Sequence, residues 1–287
     1  MQKEISNDDS LPAYVKKLIV TADDFGLNVS VNQAIEKAHR EGILTSTSLM
    51  VGEPAVHDAV ERAHNLPGLR VGLHLCVVDG LSVLPHSDIP HIVNHDGCFS
   101  PNMIRVSLRV ALSPKIQYEL EKEIRAQFEA YHETGLLLDH VDVHHHLHLH
   151  PFILKMILHI GKSYGMKAMR LVHEPMRFSR KIRGTGLISG IMVGGFLRPW
   201  SGWMRRQLVA HGMKHNDRLF GMFDAENIDE PMMLRLLDHL PGGITEVHFH
   251  PRHEDDIETR ALTSPRVRQR IEKRKIHCCG YDDIIDY

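Results

Sequence analysis

Residues 16–26 read KKLIVTADDFG, an apolar run that stops on two adjacent carboxylates, Asp23 and Asp24. A run of this length and β-branched content reads as a buried strand rather than a helix. Directly after it, VSVNQAIEKAHREG (29–42) sets Val31, Ala34, Ile35 and Ala38 on one face at helical spacing, with Gly42 suited to the C-terminus. The same strand-then-helix unit repeats along the chain. LTSTSLMV (44–51), LRVGLHLCVV (69–78), LLDHVDV (137–143), MKAMRLV (166–172), RLFGMF (218–223) and ITEVHFH (244–250) read as further strands. AVHDAVERAHN (55–65), KIQYELEKEIRAQFEAYHETG (115–135) and PFILKMILHIGKSYG (151–165), the last opening on Pro, read as helices. Such repeats predict an α/β fold, a distorted, TIM-like (β/α) barrel of six or seven parallel strands, with a doubly wound open sheet as its competitor. Residues 80–113, punctuated by Pro and Gly, read as a long excursion over the site. The polar residues 1–16 read as a flexible N-terminal segment, and 17–287, which no linker divides, as a single β/α-barrel domain.

The 287 residues fall within the range of single β/α barrels, and 43% apolar with only 6% aromatic residues predicts a Leu/Val/Ile/Met-rich core. A formal net charge of −2 leaves no basic excess to neutralise phosphates, which excludes a general nucleic-acid binder. Cys76, Cys98, Cys278 and Cys279 form no CxxC pair, as expected in a reducing compartment. The N-terminus lacks the apolar core of a signal peptide, and no apolar run approaches the ~18 residues of a membrane span. The expected location is therefore cytoplasmic. One stretch qualifies this: RFSRKIRGTGLISGIMVGGFLRPWSGWMRR (177–206) sets apolar residues between arginine clusters. It reads either as a Gly-rich core helix or as a hydrophobic flap with Trp200 and Trp203 at its polar edge. The flap would suit a lipid-linked substrate and a peripheral membrane contact through 184–206.

Histidine is the compositional outlier: 23 in all, six of them between His140 and His150. In a parallel barrel functional groups gather at the C-terminal strand ends. Four strand ends here carry unusual residues, namely Asp23-Asp24, His74, His144 with its neighbours, and His250, and Arg170 lies near a fifth. Two adjacent carboxylates beside a core repel unless a cation or proton compensates. One could bind a metal and the other act as a base, or the pair could cap the next helix. His74, within an apolar strand, reads as a core histidine or as a ligand. DHVDVHHHLHLHP (139–151) spaces His144, His146, His148 and His150 alternately, so an extended backbone would point them to one side. Buried imidazoles need partners, which favours metal ligation there. Two imidazoles and a carboxylate leave positions open for water, the pattern of a catalytic site. His250, with His248 two residues before it, and Arg170, which could hold a catalytic carboxylate in its charged form, are open to structural readings too. Arg170 and His148 are the candidate substrate contacts.

TADDFG (21–26), VGLHL (71–75), HVDVHHHLHLHP (140–151) and HFHP (248–251) resemble, in order and spacing over residues 17–280, the YdjC-like carbohydrate deacetylase family. Three longer segments look most like its hopanoid-biosynthesis-associated branch: LIVTADDFGLNVSVNQAIEKAHREGILTSTSLMV, LPGLRVGLHLCVVDGLSVLP and EIRAQFEAYHETGLLLDHV. The resemblance implies a distorted β/α barrel, one divalent metal ion, zinc or magnesium, and removal of acetyl groups from N-acetylated sugars. Position by position it implies Asp24 as the metal carboxylate, His74 and His144 as imidazole ligands, Asp23 as general base and His250 as acid. His145, His146 and His148 are rivals to His144. The branch implies an acetylglucosamine on a hopanoid polyol as substrate. A deacetylase of soluble chitooligosaccharides, a metal-dependent phosphoesterase and a non-enzymatic lipid- or metal-binding subunit are the alternatives.

Overall fold

The computed structural model describes residues 15–183 and 188–284, with 188–198 as helical backbone only. The expected flexible segment falls largely outside them, and its last residue, Lys16, already belongs to the first strand. In chain order the first half is β1 (Lys16–Phe25), α1 (Val29–Glu41), β2 (Ser46–Leu49), α2 (Val56–His64), β3 (Arg70–Leu75), α3 (Met103–Leu112), α4 (Pro114–Glu133) and β4 (Val141–Val143). The second is α5 (Pro151–Ser163), α6 (Met176–Arg183), α7 (Ile188–Ala210), β5 (Arg218–Phe220), α8 (Glu230–His239), β6 (Gly243–Phe249), α9 (Ile257–Thr263), α10 (Pro265–Lys273) and β7 (His277–Cys278). All strand pairs are parallel, in the order β4-β3-β2-β1-β6-β5, with β7 added beside the first half of β1. Helices cover the sheet, so its central strand is buried along most of its length: every residue from Leu18 to Phe25 is inaccessible or nearly so.

The sheet curls into the distorted barrel, and the open-sheet alternative is set aside. The strand expected over 166–172 is reduced to single bridges, Val141 to Met169 and Ala168 to Lys214. A side chain completes the wall there. The Asn216 amide accepts from Leu171 N at 2.7 Å and donates to Leu171 O at 2.9 Å, doing what a ladder peptide would do. The C-terminal segment closes the lower end, where the buried Tyr281 donates to Glu246 Oε2 at 2.5 Å and stacks on His140.

Helix starts follow from short polar caps. Ser113, Asp229 and Ser264 each accept from a backbone N–H three residues on, and each precedes a helix with Pro in its first turn. The excursion over 80–113 holds an element the sequence reading misses, α3. It anchors through the buried Val110 while Ile104, Leu108 and Leu112 stay exposed, so its apolar residues mark no single face. α4 clamps the start of the excursion: Glu123, fully buried, accepts from Val83 N at 2.9 Å and Leu84 N at 3.0 Å.

Candidate active site

The upper end of β1 is bent by a bulge. Ala22 faces Thr47 and Phe25 faces Leu49, so Asp23 and Asp24 together oppose the single residue Ser48. Neighbouring side chains on a regular strand point to opposite faces. The bulge, with Asp24 at φ 66°, brings both carboxylates to one side instead. A left-handed aspartate costs about 1–3 kcal/mol, which the surroundings must offset. Gly26, at φ 97°, completes the turn and donates its N–H to Asn32 Oδ1 of α1 at 2.8 Å.

On β3 and β4, His74 and Asp142 are register partners, and their side chains meet. His74 Nδ1 lies 2.8 Å from Asp142 Oδ1 and 3.1 Å from Ser48 Oγ. That contact fixes Nδ1 as a proton donor to Asp142, so Nε2 is the nitrogen turned toward Asp24 and His144, able to ligate a cation once it gives up its own proton. Nε2 is 3.5 Å from Asp24 Oδ1 and 3.2 Å from His144 Nδ1, and that nitrogen is 3.4 Å from the same Asp24 oxygen. Asp24 Oδ1 is buried and has no hydrogen-bond partner. Burial pushes the Asp24 carboxyl up, but the His144, His74 and His250 imidazoles around it outweigh that and hold it below its ordinary value. For His74 burial favours the neutral form, yet Asp142, Asp23 and Asp24 push it up to about 9. Three donor atoms thus enclose a point rich in negative charge.

The residues fit a divalent cation on three counts: an orphaned buried carboxylate oxygen, two imidazole nitrogens turned toward it, and a carboxylate behind His74 that sets its tautomer. Their mutual spacing fits as well. Donors roughly 2.0–2.1 Å from a tetrahedral ion lie about 3.3 Å from one another.

Asp23 stands beside this group in a different environment. Its oxygens accept from Arg170 Nη1 and Nη2, both at 2.7 Å, and Ser48 Oγ is 3.5 Å away. Burial works against its charge, but the guanidinium holds the Asp23 carboxyl well below the usual carboxylate range. His250, at the exit of β6, sets Nε2 3.8 Å from Asp23 Oδ2. Burial pushes that imidazole down from its ordinary value, and its Nδ1 has no partner. Arg252, two residues on, donates to Asp24 Oδ2 at 3.2 Å.

The structure brings Asp23, Asp24, His74, His144 and His250 together. It does not place Arg170 and His148 where a substrate contact was expected, for neither has any solvent exposure. Arg170 stands behind Asp23, also meeting Asp142 Oδ2 at 2.6 Å and Glu246 Oε1 at 2.9 Å, which matches its other reading as the holder of a carboxylate. His148 lies deeper, with Nε2 3.1 Å from Arg170 O. The extended backbone expected across 144–150 is corrected too. After β4 the chain forms a 3-10 turn over His144–Leu149, with His145 and His146 left-handed at φ 53° and 56°. The histidines therefore disperse: His145 pairs with Asp79 at the surface, while the half-buried His146 meets the His248 ring edge-to-face at 5.0 Å. Sequence reasoning missed Ser48, Asp142, Glu246 and Arg252. A signal existed for two of these, since Asp142 and Glu246 are charges inside apolar strand runs, and such charges must be paired.

A barrel whose upper rim carries an Asp-His-His donor set beside a second, charge-clamped aspartate has the makings of a hydrolytic metal centre. Comparison with known proteins gives the family: residues 17–273 match the model of the YdjC-like proteins, and the chain belongs to that family. Its relatives include a carbohydrate deacetylase of Brevibacillus brevis, 40% identical over 93% of this chain and 99% of its own length. Another, from Vibrio parahaemolyticus, is 34% identical over 94% and 96%. Among solved structures, an Enterococcus faecalis V583 protein assigned provisionally to cellobiose-phosphate cleavage superposes with a TM-score of 0.70 at 25% identity, covering 93% of this chain and 98% of that one.

Proposed function

We propose that this chain is a metal-dependent carbohydrate N-deacetylase, with Asp24, His74 and His144 holding one divalent cation. The observation that carries the reading is the bare Asp24 Oδ1 facing two imidazole nitrogens, next to a clamped carboxylate and a histidine that solvent can reach. The names of the Brevibacillus and Vibrio relatives support the substrate class. Donor spacings of 3.2–3.5 Å suit a tetrahedral, zinc-like ion better than the about 2.9 Å edge of a magnesium octahedron. Bound there, the ion would supply a more acidic water and polarisation of an amide carbonyl.

The chain's own groups handle the protons. Arg170 keeps Asp23 ionised across neutral pH, so Asp23 accepts a proton only from an already acidified donor. Oδ2 faces His250 Nε2, which rests neutral and can carry that proton on to the leaving nitrogen. As water oxygen joins the acetyl carbon and the C–N bond breaks, acetate and a free amine result. The inferred substrate is an acetylglucosamine carried on a hopanoid polyol, and the motifs shared with the hopanoid-associated branch support it. The proposed lipid flap falls at 184–206. Side chains of 184–198 lie outside the described residues, while Trp200 is exposed. Among the described residues no helix is long and apolar enough to cross a membrane.

The test is acetate release from acetylglucosaminyl lipid and from chitooligosaccharides, with zinc and with chelator. Chelator-sensitive acetate release is expected, with the lipid preferred. No acetate from either substrate with the ion supplied would sink the reading, and phosphate release from a phosphorylated sugar would point to a phosphoesterase.

A further inference from the structure

We infer that Arg252 is a positioning residue that restricts Asp24 to a single free oxygen, so that a cation held there keeps a position open. The inference rests on the metal-centre reading above. The two oxygens of Asp24 are treated differently: Oδ1 faces His74 and His144 and is otherwise bare, whereas Oδ2 accepts from Arg252 Nη1 at 3.2 Å. A carboxylate free at both oxygens can chelate a divalent cation and occupy two of its positions. With Oδ2 engaged, Asp24 can offer one.

Arg252 is held in place for this on three sides. Its Nε and Nη2 donate to Glu226 Oε1 at 3.1 and 2.6 Å. Its backbone N–H donates to Asp256 Oδ2, and its carbonyl accepts from Ser30 Oγ at 3.0 Å. Glu226 is itself left-handed, at φ 65°, an unfavourable conformation for a glutamate. The strand exit also spaces the groups in pairs, since His250 meets Asp23 and Arg252, two residues on, meets Asp24. A second effect follows from charge. A guanidinium beside a divalent cation repels it, so Arg252 weakens ion binding while improving what the bound ion can do.

That combination is testable, because a residue that merely supported the loop would not produce it. Zinc affinity is measured on the full chain by calorimetry, and kcat and KM on the acetylated substrate. For Arg252→Gln, zinc should bind about tenfold tighter, kcat should fall about 10–100-fold, and KM should move little. Arg252→Lys should recover part of both. Arg252→Met, which likewise removes both the donor and the charge, should shift both in the Arg252→Gln direction, and it serves should Arg252→Gln fail to fold. Unchanged or weaker zinc binding in the folded variants overturns the inference. So does a rise in KM alone, which would make Arg252 a substrate anchor. Zinc affinity is read without turnover, so a wild-type chain that binds zinc but releases no acetate refutes the proposed reaction and leaves this inference standing.

Discussion

Arg170 meets Asp23, Asp142 and Glu246 with no solvent exposure, so one guanidinium compensates three buried carboxylates. Removing one member of such a group strands the others uncompensated. Arg170→Met should therefore cost about 3–5 kcal/mol in urea denaturation of the metal-free chain, and a loss under about 1 kcal/mol would show that the network does not hold the barrel. Asp23→Asn addresses chemistry instead. It should leave zinc content near wild type while lowering turnover by about 10²–10⁴, and a variant that loses its zinc would reverse the roles of the two aspartates. At this scale the sequence is informative where a polar residue ends an apolar strand, which is how Asp23, Asp24, His74, His144 and His250 stand out. Arg252 gives no such signal, because an arginine after His-Pro in a loop looks like any surface arginine. For Arg170 the carboxylate partner and the substrate contact were both open readings, because spacing does not say which side of a strand faces the core when both sides are buried.

Among elements, β1 to β6 and the helices α1, α2, α4 and α5 were legible from their apolar runs and periods, whereas the strand expected over 166–172 is reduced to bridges and α8, α9, α10 and β7 went unread. The turn after β4 was not legible either. Alternating histidines imply an extended backbone only if φ stays negative, and at His145 and His146 it does not. The first strand hides its bulge similarly, since Asp-Asp carries no glycine to announce one. The junction just before β4 offers a pH test. His140 is fully buried, with Nδ1 2.8 Å from Asp139 Oδ2 and its ring 4.6 Å from that of Tyr281. Burial would push its imidazole down, but the bond and charge of Asp139, with Asp142 and Glu246 beyond, raise it above 6.5. The folded chain thus holds this proton more tightly than the unfolded one. Its stabilisation is complete below about pH 6.5 and is lost as pH rises through the higher folded value. The stability that the metal-free protein holds over His140→Asn, read as a difference in melting temperature, should shrink as pH rises from about 6.5 through that higher folded value. His74, pushed up to about 9, adds in the same sense, so the difference between the two proteins is the quantity to measure. Identical slopes would remove His140 from the account.

Across the whole molecule the barrel closes through strands on most of its circumference and, at one seam between β4 and β5, through single backbone bridges joined by the Asn216 side chain. Asn216→Ala leaves Leu171 N–H and C=O without their partner, and should cost about 1–3 kcal/mol with earlier hydrogen exchange over 166–173. Exchange no faster than in the neighbouring strands would mean that other contacts seal this wall. The barrel class was readable from repeated units, but the seam was not, because nothing in MKAMRLV says that a distant asparagine will stand in for its neighbouring strand. Arg170 belongs to that seam segment and reaches across the interior to Asp23 on β1, as a spoke joins a rim to the far side of a wheel. Prying the seam outward draws the spoke with it. Asp23 would then lose its clamp and grow more basic, so damage at the far wall would be felt as altered chemistry at the near one.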